Sequence, residues 1–434
     1  MVAISRFAHL LPGVRYVAAP ASKPIDEDTS VLLVGYNGAR NTGADVRVSA
    51  LMDQIDDALA PRPVRMSLMS LDPTSTDVYT HGRSNVQTIA FTPIFFWALL
   101  KACSSHEVIV LCEGSMLKSK FANGLTLVLC QAAGLAKAQG KPCVAYGVEI
   151  GEMDPCVRRT AVRLCGDTRF IVRTKGSLEA LHQLGLNGEL GCDSAWTFDS
   201  TRSAAEAQEL LAAQGWNGKA PLLGVAPINP FCWPAKPSLL KLARAALTGN
   251  WQAHYQKWYF LSWSKERSRR FDEYLQAFAS AINRRAKETA SFVTIIGMEK
   301  LDEEACARLR AMLDAPAALV LSKDKDGFVI GEVLARLETL VTSRYHAAML
   351  AMKRGVASVG LSMDERIDNL FEDAGLDMNL VCSVDCACLE DRAIRALDLL
   401  DCTRAELTEQ LQAYKNRCLS VCEIMKKTLA AAIR

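Results

Sequence analysis

The stretch from Thr339 to Asp368 constrains the fold more than any other part of the chain. Two short β-branched or apolar runs, Thr339 to Val341 and Val356 to Val359, flank a segment whose apolar residues recur at helical spacing. This is the pattern of strand, helix and strand, and a strand that returns over a helix builds a parallel sheet. Arg344, Tyr345 and His346 fall where the first strand gives way to the helix. Such a junction offers unpaired backbone N–H groups and the positive end of a helix. It suits an anion held jointly by the main chain and a guanidinium fork.

The same alternation runs through most of the chain. Ser30 to Gly35 reads as a buried strand, followed by a loop with glycines at 35, 38 and 43 and a helix from Val46 to Leu59. Val108 to Cys112 is a strand ending in Glu113-Gly114-Ser115, and Leu125 to Ala138 is helical. Pro142 to Tyr146 is the next strand, ending in Gly147-Val148-Glu149-Ile150-Gly151. Arg169 to Val172 leads through Arg173 into a helix reaching Leu184, with Ser177 placed to cap it. Leu190 to Trp196 closes this half around Asp193. A second series opens at Leu222 to Asn229 and resumes, after an interruption, with Phe271 to Thr289, Phe292 to Gly297, Glu303 to Leu313, Ala318 to Leu321 and Phe328 to Leu337. Repeated strand, Gly-rich loop and helix predicts an α/β fold whose ligands bind beyond the carboxyl ends of parallel strands.

A chain of 434 residues exceeds the usual span of one core. We expect an irregular lead-in at 1–28, a first α/β domain at 29–200, a linker at 201–220, a second α/β domain at 221–406 and a C-terminal helix at 407–434. That helix is long enough to pack on the first domain and tie the two together. The second domain is interrupted at 230–264, where Trp233, Trp251, Trp258 and Trp263 lie among Lys236, Lys241, Arg244, Lys257 and Lys265. This is either a helical insertion packed on its own aromatics or an amphipathic surface that receives an acceptor or touches anionic lipid.

A net charge of +2 gives no global case for nucleic acid, and the run Arg267, Arg269, Arg270 reads as a solvated face. The apolar stretches Ile89 to Leu100 and Leu125 to Ala133 fall short of the roughly 20 residues that cross a bilayer. With no export signal evident, the expectation is a cytoplasmic protein, with peripheral contact at the inner face of the membrane left open. The fifteen cysteines are odd in number and scattered, so reduced thiols are expected. Cys382, Cys386, Cys388, Cys418 and Cys422 read as buried small hydrophobes rather than a metal site. No metal and no cofactor is expected.

The spacing of Gly35, Gly38 and Gly43 fits neither the dinucleotide fingerprint nor a phosphate-binding P-loop, so a ligand loop and a plain tight turn both stay open. Taken in order, however, the motifs resemble those of the polysaccharide pyruvyl transferase family. The residues that carry the resemblance are Gly35-Tyr36-Asn37-Gly38-Ala39-Arg40-Asn41-Thr42-Gly43-Ala44-Asp45, then Glu113-Gly114-Ser115, then Tyr146-Gly147-Val148-Glu149-Ile150-Gly151. Arg173, Ser177, Leu181, Leu184 and Gly185 follow, then Asp193, and finally Arg344, His346 and Ala347 with Gly355 and Ser362 to Arg366. The chain departs from the pattern where Glu113 replaces a glycine, Arg366 replaces a lysine, and one extra residue precedes Asp45. The Trp-rich insertion is also atypical.

The resemblance implies two Rossmann-like domains facing across a cleft, similar to the glycosyltransferase-B architecture. It implies transfer of the pyruvyl group of phosphoenolpyruvate onto two hydroxyls of a sugar or lipid-linked glycan, forming a ketal and releasing phosphate. Arg344 is then the clamp for an anionic group, or else one member of a structural salt bridge. His346 is a general acid or a phosphate ligand, or else only a cap or a packed residue. Asp45 and Asp193 are carboxylates for base chemistry or for binding acceptor hydroxyls, with Asp45 equally suited to cap its helix. Substrate contacts are expected from Gly38, Asn41, Gly43, Glu113, Gly114, Glu149, Arg173, Ser177, Asn229 and Arg366, with Glu113 turned to the sugar. The alternatives are a nucleotide-sugar-dependent glycosyltransferase of the same design and a non-catalytic sugar or phosphometabolite-binding protein. Self-association is left open.

Overall fold

The structure, a computed structural model, describes residues 28–91, 95–248 and 259–433. The lead-in through residue 27, and Trp251, Lys257 and Trp258 of the insertion, lie outside the described residues.

The first half is a seven-stranded parallel sheet of β1 (Thr29–Val34), β2 (Val64–Ser70), β3 (Val86–Ala90), β4 (Val108–Leu111), β5 (Cys143–Val148), β6 (Arg169–Val172) and β7 (Gly188–Leu190). Its strand order is β3-β2-β1-β4-β5-β6-β7. In the second half, β8 (Leu222–Ala226) is followed by a short antiparallel pair, β9 (Lys236–Pro237) and β10 (Tyr259–Phe260). Then come β11 (Phe292–Gly297), β12 (Ala318–Leu321), β13 (Thr339–Thr342), β14 (Ala357–Ser362) and β15 (Val381–Ser383), giving a six-stranded parallel sheet in the order β12-β11-β8-β13-β14-β15. Both sheets therefore start in the middle and grow outward in two directions. Each has one point where the order reverses, between β1 and β4 and between β8 and β13. A crevice opens at such a point, because the helices that follow the two strands leave on opposite faces.

Helices cover both faces, which is why the strands are continuous apolar runs rather than alternating ones. All four residues of β4 are buried, as are Val31 to Val34 of β1 and Leu340 and Val341 of β13. Each such side chain removed from water stabilises the fold by about 2 kcal/mol. Sequence periodicity missed β2 and β3, which complete one edge of the first sheet.

The last helix, Arg404–Ile433, packs on both halves. Its Lys426 pairs with Asp57 at 3.2 Å, Thr428 bonds Glu189 at 3.1 Å, and Tyr414 meets Trp196 edge-on at 5.1 Å between ring centres. All fifteen cysteines are free. Cys382, Cys418 and Cys422 are buried as expected, whereas Cys388 is exposed and Cys386 partly so, because they sit in the turn before the helix Leu389–Cys402. Among the described residues no helix is long and apolar enough to cross a membrane.

Candidate active site

The carboxyl ends of the two sheets face each other across a pocket of about 60 Å³, lined from the loops after β1, β4, β6, β11, β13 and β14. Ligand pockets usually enclose roughly 300–1,000 Å³, so the space between the two sheets is small for a ligand as it stands. Two helices aim their amino ends into it: Thr42–Leu59 from the first half and Tyr345–Lys353 from the second.

Asn41 caps the first of these, its side chain accepting from the Ala44 N–H at 3.1 Å. Thr42 N–H donates to the Met298 carbonyl of the other half at 2.8 Å. Gly43 has a specific steric reason: a Cβ there would lie 2.1 Å from His346 Nδ1. One turn further on, Arg47 points inward and is wholly buried. Its Nε donates to Asp193 Oδ1 at 3.1 Å, Nη1 to the Cys112 carbonyl at 2.8 Å and Nη2 to the Gly147 carbonyl at 2.6 Å. Arg173, at the end of β6, donates from Nη1 to Asp193 Oδ2 at 2.8 Å and from Nε to Glu149 Oε2 at 2.9 Å. Its guanidinium carbon lies 4.1 Å from the centre of the Tyr345 ring. Gly114 lets the two arginines come together, since a Cβ there would be 3.2 Å from Nη1 of each.

Asp193 is the hub. It also accepts from the Ala195 N–H at 3.0 Å, which caps a short 3-10 turn, Ser194–Thr197. Burial opposes its charge, but the neighbouring cations, Arg47 foremost, outweigh it and hold the carboxyl well below the usual carboxylate range. His346 Nε2 is 3.4 Å from Asp193 Oδ2. Burial lowers the imidazole to about 4 despite Asp193, so the ring is neutral at pH 7. A neutral ring beside a carboxylate is a proton acceptor.

Arg344 sits on the second half. Its Nε donates to Asp302 Oδ2 at 2.8 Å, and its Nη2 to Glu299 Oε2 at 3.0 Å. Glu299 also accepts from the Tyr36 hydroxyl across the cleft at 3.3 Å. Burial raises Asp302 to about 6, with Arg344 pulling the other way. Arg344 is a member of a salt bridge and also lines the pocket. Arg366 donates from Nε to Asp364 Oδ1 at 2.9 Å and lies 4.5 Å from the centre of the Phe121 ring. Lys118 crosses between the halves, 2.7 Å from Glu365 and 3.5 Å from Glu149.

Of the residues read from sequence, Asn41, Gly43, Glu113, Gly114, Arg173, Arg344, His346 and Arg366 line the pocket. Asp193 and Glu149 stand behind it as partners of the arginines. Glu113 accepts from the Tyr36 and Ser115 N–H groups, both at 3.1 Å, so it ties two loops together at the pocket wall. Four residues lie elsewhere. Gly38 turns the chain at φ +75° against Ser70 and Asp72. Ser177 accepts from the Ile150 N–H, and Thr174 rather than Ser177 caps the helix Lys175–Gln183. Asn229 accepts from the Phe231 N–H in its own turn. Asp45 is buried in the first turn of its helix, where burial raises its carboxyl to about 8. Burial thus favours its protonated form at pH 7, and the residue neither caps the helix nor lines the pocket.

Sequence reasoning passed over Arg47 and Lys118. The signal at Arg47 is a charged residue between Val46 and Val48 on a helix of low overall polarity, one turn beyond a glycine. Alone it reads as an ordinary exposed arginine.

The arrangement is that of two Rossmann-like halves facing across a cleft, the glycosyltransferase-B architecture, and solved structures share it over nearly their whole length. A UDP-GlcNAc 2-epimerase from Neisseria meningitidis, bound to UDP-GlcNAc, is similar with a TM-score of 0.56 at 10% identity, over 92% of this chain and 99% of that one. Anabaena HepE in complex with UDP-glucose gives 0.57 at 10% identity, over 93% and 99%. A glycosyltransferase from Rickettsia africae gives 0.56 at 8% identity, over 94% and 98%. At such identities the likeness is one of fold. No protein-family profile matches the chain, and no curated protein matches it in sequence.

Proposed function

We propose that this protein is a sugar- or glycan-modifying transferase that takes a phosphate-bearing donor in the cleft between its two sheets. The observation that carries this reading is the meeting of Arg173 and Arg344-Tyr345-His346 with the helix start at Asn41 to Ala44 around one pocket. Two helix amino ends and several guanidiniums there suit a compact anion of high charge.

The finer reading is pyruvyl transfer from phosphoenolpyruvate. It rests on the resemblance in motif order and on the fact that residues from most of those motifs line this one pocket. Arg344, whose Nη1 takes no part in the pairs with Asp302 and Glu299, binds the phosphate or carboxylate of the donor. His346, neutral at pH 7, accepts the proton of an acceptor hydroxyl as its oxygen bonds to the enol carbon, and Asp193 stabilises the imidazolium. In the same step the methylene carbon takes up a proton and becomes methyl, so that the proton accepted by His346 is made good and no carbanion forms. The second hydroxyl then bonds to the same carbon as the carbon–oxygen bond to phosphate breaks, which forms the ketal, and that hydroxyl's proton leaves with the phosphate.

A second reading, a nucleotide sugar as donor, is favoured by the comparisons. Two of the similar structures carry UDP-GlcNAc and UDP-glucose, and on that evidence alone this reading has the better support. The two donors separate in one assay. Phosphate release from phosphoenolpyruvate is followed beside nucleotide release from UDP-sugars, with free and lipid-linked sugars as acceptors, for the wild type and Arg344→Ala. Acceptor-dependent phosphate release that the variant loses supports pyruvyl transfer. Nucleotide release without any phosphate release supports the glycosyltransferase, and inertness toward both donors removes the transferase reading.

A further inference from the structure

The insertion between β8 and the long helix Lys265–Thr289 ends in a feature that folding does not explain. The helix Leu239–Thr248 exposes Leu239 at 84%, Leu240 at 82% and Leu247 at 88%. At 100° per residue these three fall within an arc of about 100°, so they form one stripe. Arg244 and Lys241 continue around the same side, and both are exposed. Trp263, beyond the β9–β10 pair, is 75% exposed. Single exposed leucines are ordinary, whereas three on one short helix edged by cations form a patch that calls for a partner.

The charge of the segment identifies that partner. From Leu210 to Lys265 the chain has no Asp or Glu, although it has Lys219, Lys236, Lys241, Arg244, Lys257 and Lys265. A second copy on the same face would set Lys241 and Arg244 against their own counterparts, with no carboxylate in the segment to meet them. An anionic bilayer satisfies both features. Its headgroups take the cations while its acyl boundary takes the leucines and an interfacial tryptophan.

The base of the insertion is fastened to the pocket. Ala235 N–H donates to the Phe121 carbonyl at 2.8 Å, Trp233 packs edge-on against the Phe121 ring at 5.1 Å between centres, and Arg366 of the pocket lies over that same ring. We propose that the Leu239–Thr248 helix docks the protein on an anionic membrane surface and so holds the cleft mouth at the headgroup layer. Under the transferase reading this sets a lipid-carried acceptor beside Arg366. That last step rests on the proposed function, whereas docking itself is read without any substrate.

The test is co-sedimentation of the intact protein with vesicles of phosphatidylcholine plus phosphatidylglycerol, beside vesicles of phosphatidylcholine alone. We expect binding to the anionic vesicles only, weakened by salt. Lys241→Glu/Arg244→Glu and Leu240→Glu/Leu247→Glu should each lower the partition coefficient at least tenfold, with unchanged thermal unfolding because these side chains are exposed. Docking is refuted by an absence of anionic-vesicle binding or by binding that neither variant weakens. A dimer in sedimentation velocity that only the leucine variant dissolves, with no vesicle binding, would overturn the proposal in favour of self-association.

Discussion

The two halves of the molecule meet the pocket with different balances of charge. On the side of the first sheet two guanidiniums meet two carboxylates: Arg47 and Arg173 both bond Asp193, Arg173 also bonds Glu149, and no side chain of the four is more than 1% exposed. On the side of the second sheet one guanidinium faces two carboxylates, since Arg344 bonds Asp302 and Glu299 and keeps 12% exposure. The first cluster is fixed, because Asp193 is held ionised and Arg47 spends its other donors on main-chain carbonyls. The second can change state, because burial brings Asp302 to about 6. Around the pocket, the difference assigns the rigid frame to the first half and the responsive charge to the second.

The comparison breaks most readily at Asp193. Asp193→Ala leaves Arg47 and Arg173 buried with one shared partner gone, and removing one member of a buried ion cluster costs about 3–5 kcal/mol. Urea unfolding should show a loss of that order. A loss below about 1 kcal/mol would mean that the frame is not a frame.

The next largest effect is a pH dependence away from the pocket, at a carboxyl of the first half that packs against the second. Asp45 lies near Arg40, Glu299 and Asp326, and burial raises its carboxyl from 3.8 to about 8. A carboxyl raised on folding binds its proton more tightly in the folded chain, so its contribution is greatest below about pH 3.8. It declines as pH rises and is lost above about pH 8. Asp45→Asn keeps the shape and removes the titration. It should stabilise the protein at pH 8 relative to pH 5 by on the order of 3 kcal/mol compared with the wild type. Equal pH profiles for the two proteins would place the alkaline loss elsewhere.

Arg344→Ala tests the responsive half. The carboxylates left behind should cost little, because Asp302 can take up a proton. Acceptor-dependent turnover should nevertheless fall about 10²-fold, the scale of losing one preorganised cation from a reacting anion. A large stability loss with normal turnover in the surviving folded fraction would make Arg344 part of the frame and erase the difference between the halves.

How far the sequence reveals this design depends on which contacts are local. Strand, loop and helix alternate within about 30 residues, so the parallel sheets, the junction at Arg344 to His346 and the loop around Gly43 could be read directly. The frame could not. Arg47, Glu149, Arg173 and Asp193 converge across 20 to 146 residues of chain, and nothing near Arg47 distinguishes a buried arginine from a solvated one. Asp193 stood as a carboxylate for base chemistry or hydroxyl binding only through the resemblance in motif order. Its burial between two guanidiniums, which makes it a partner of other groups, exists only once β5, β6 and the helix Thr42–Leu59 are packed. His346 carried a similar ambiguity: its position is legible, but its protonation state is set by the walls that close around it.

Gly43→Ala should have the smallest effect on stability and separates position from chemistry most cleanly. The glycine was legible as a place of close approach, yet what approaches is the His346 ring from the other half, 2.1 Å from where a Cβ would stand. An alanine must push that ring aside, because no real contact is shorter than about 3 Å and the ring can turn about its own side-chain bonds. Alanine also favours the helix over glycine by up to about 1 kcal/mol, which offsets the repacking, so net stability should stay within about 1 kcal/mol of the wild type. Donor affinity, measured by calorimetry with the donor alone, should be retained because Arg173 and Arg344 are untouched. Turnover should fall by about 10²-fold, the usual contribution of a positioned proton acceptor. If affinity fell and turnover per bound donor did not, His346 would belong with the anion-binding groups, and the proton would have to be taken by another residue of the cleft.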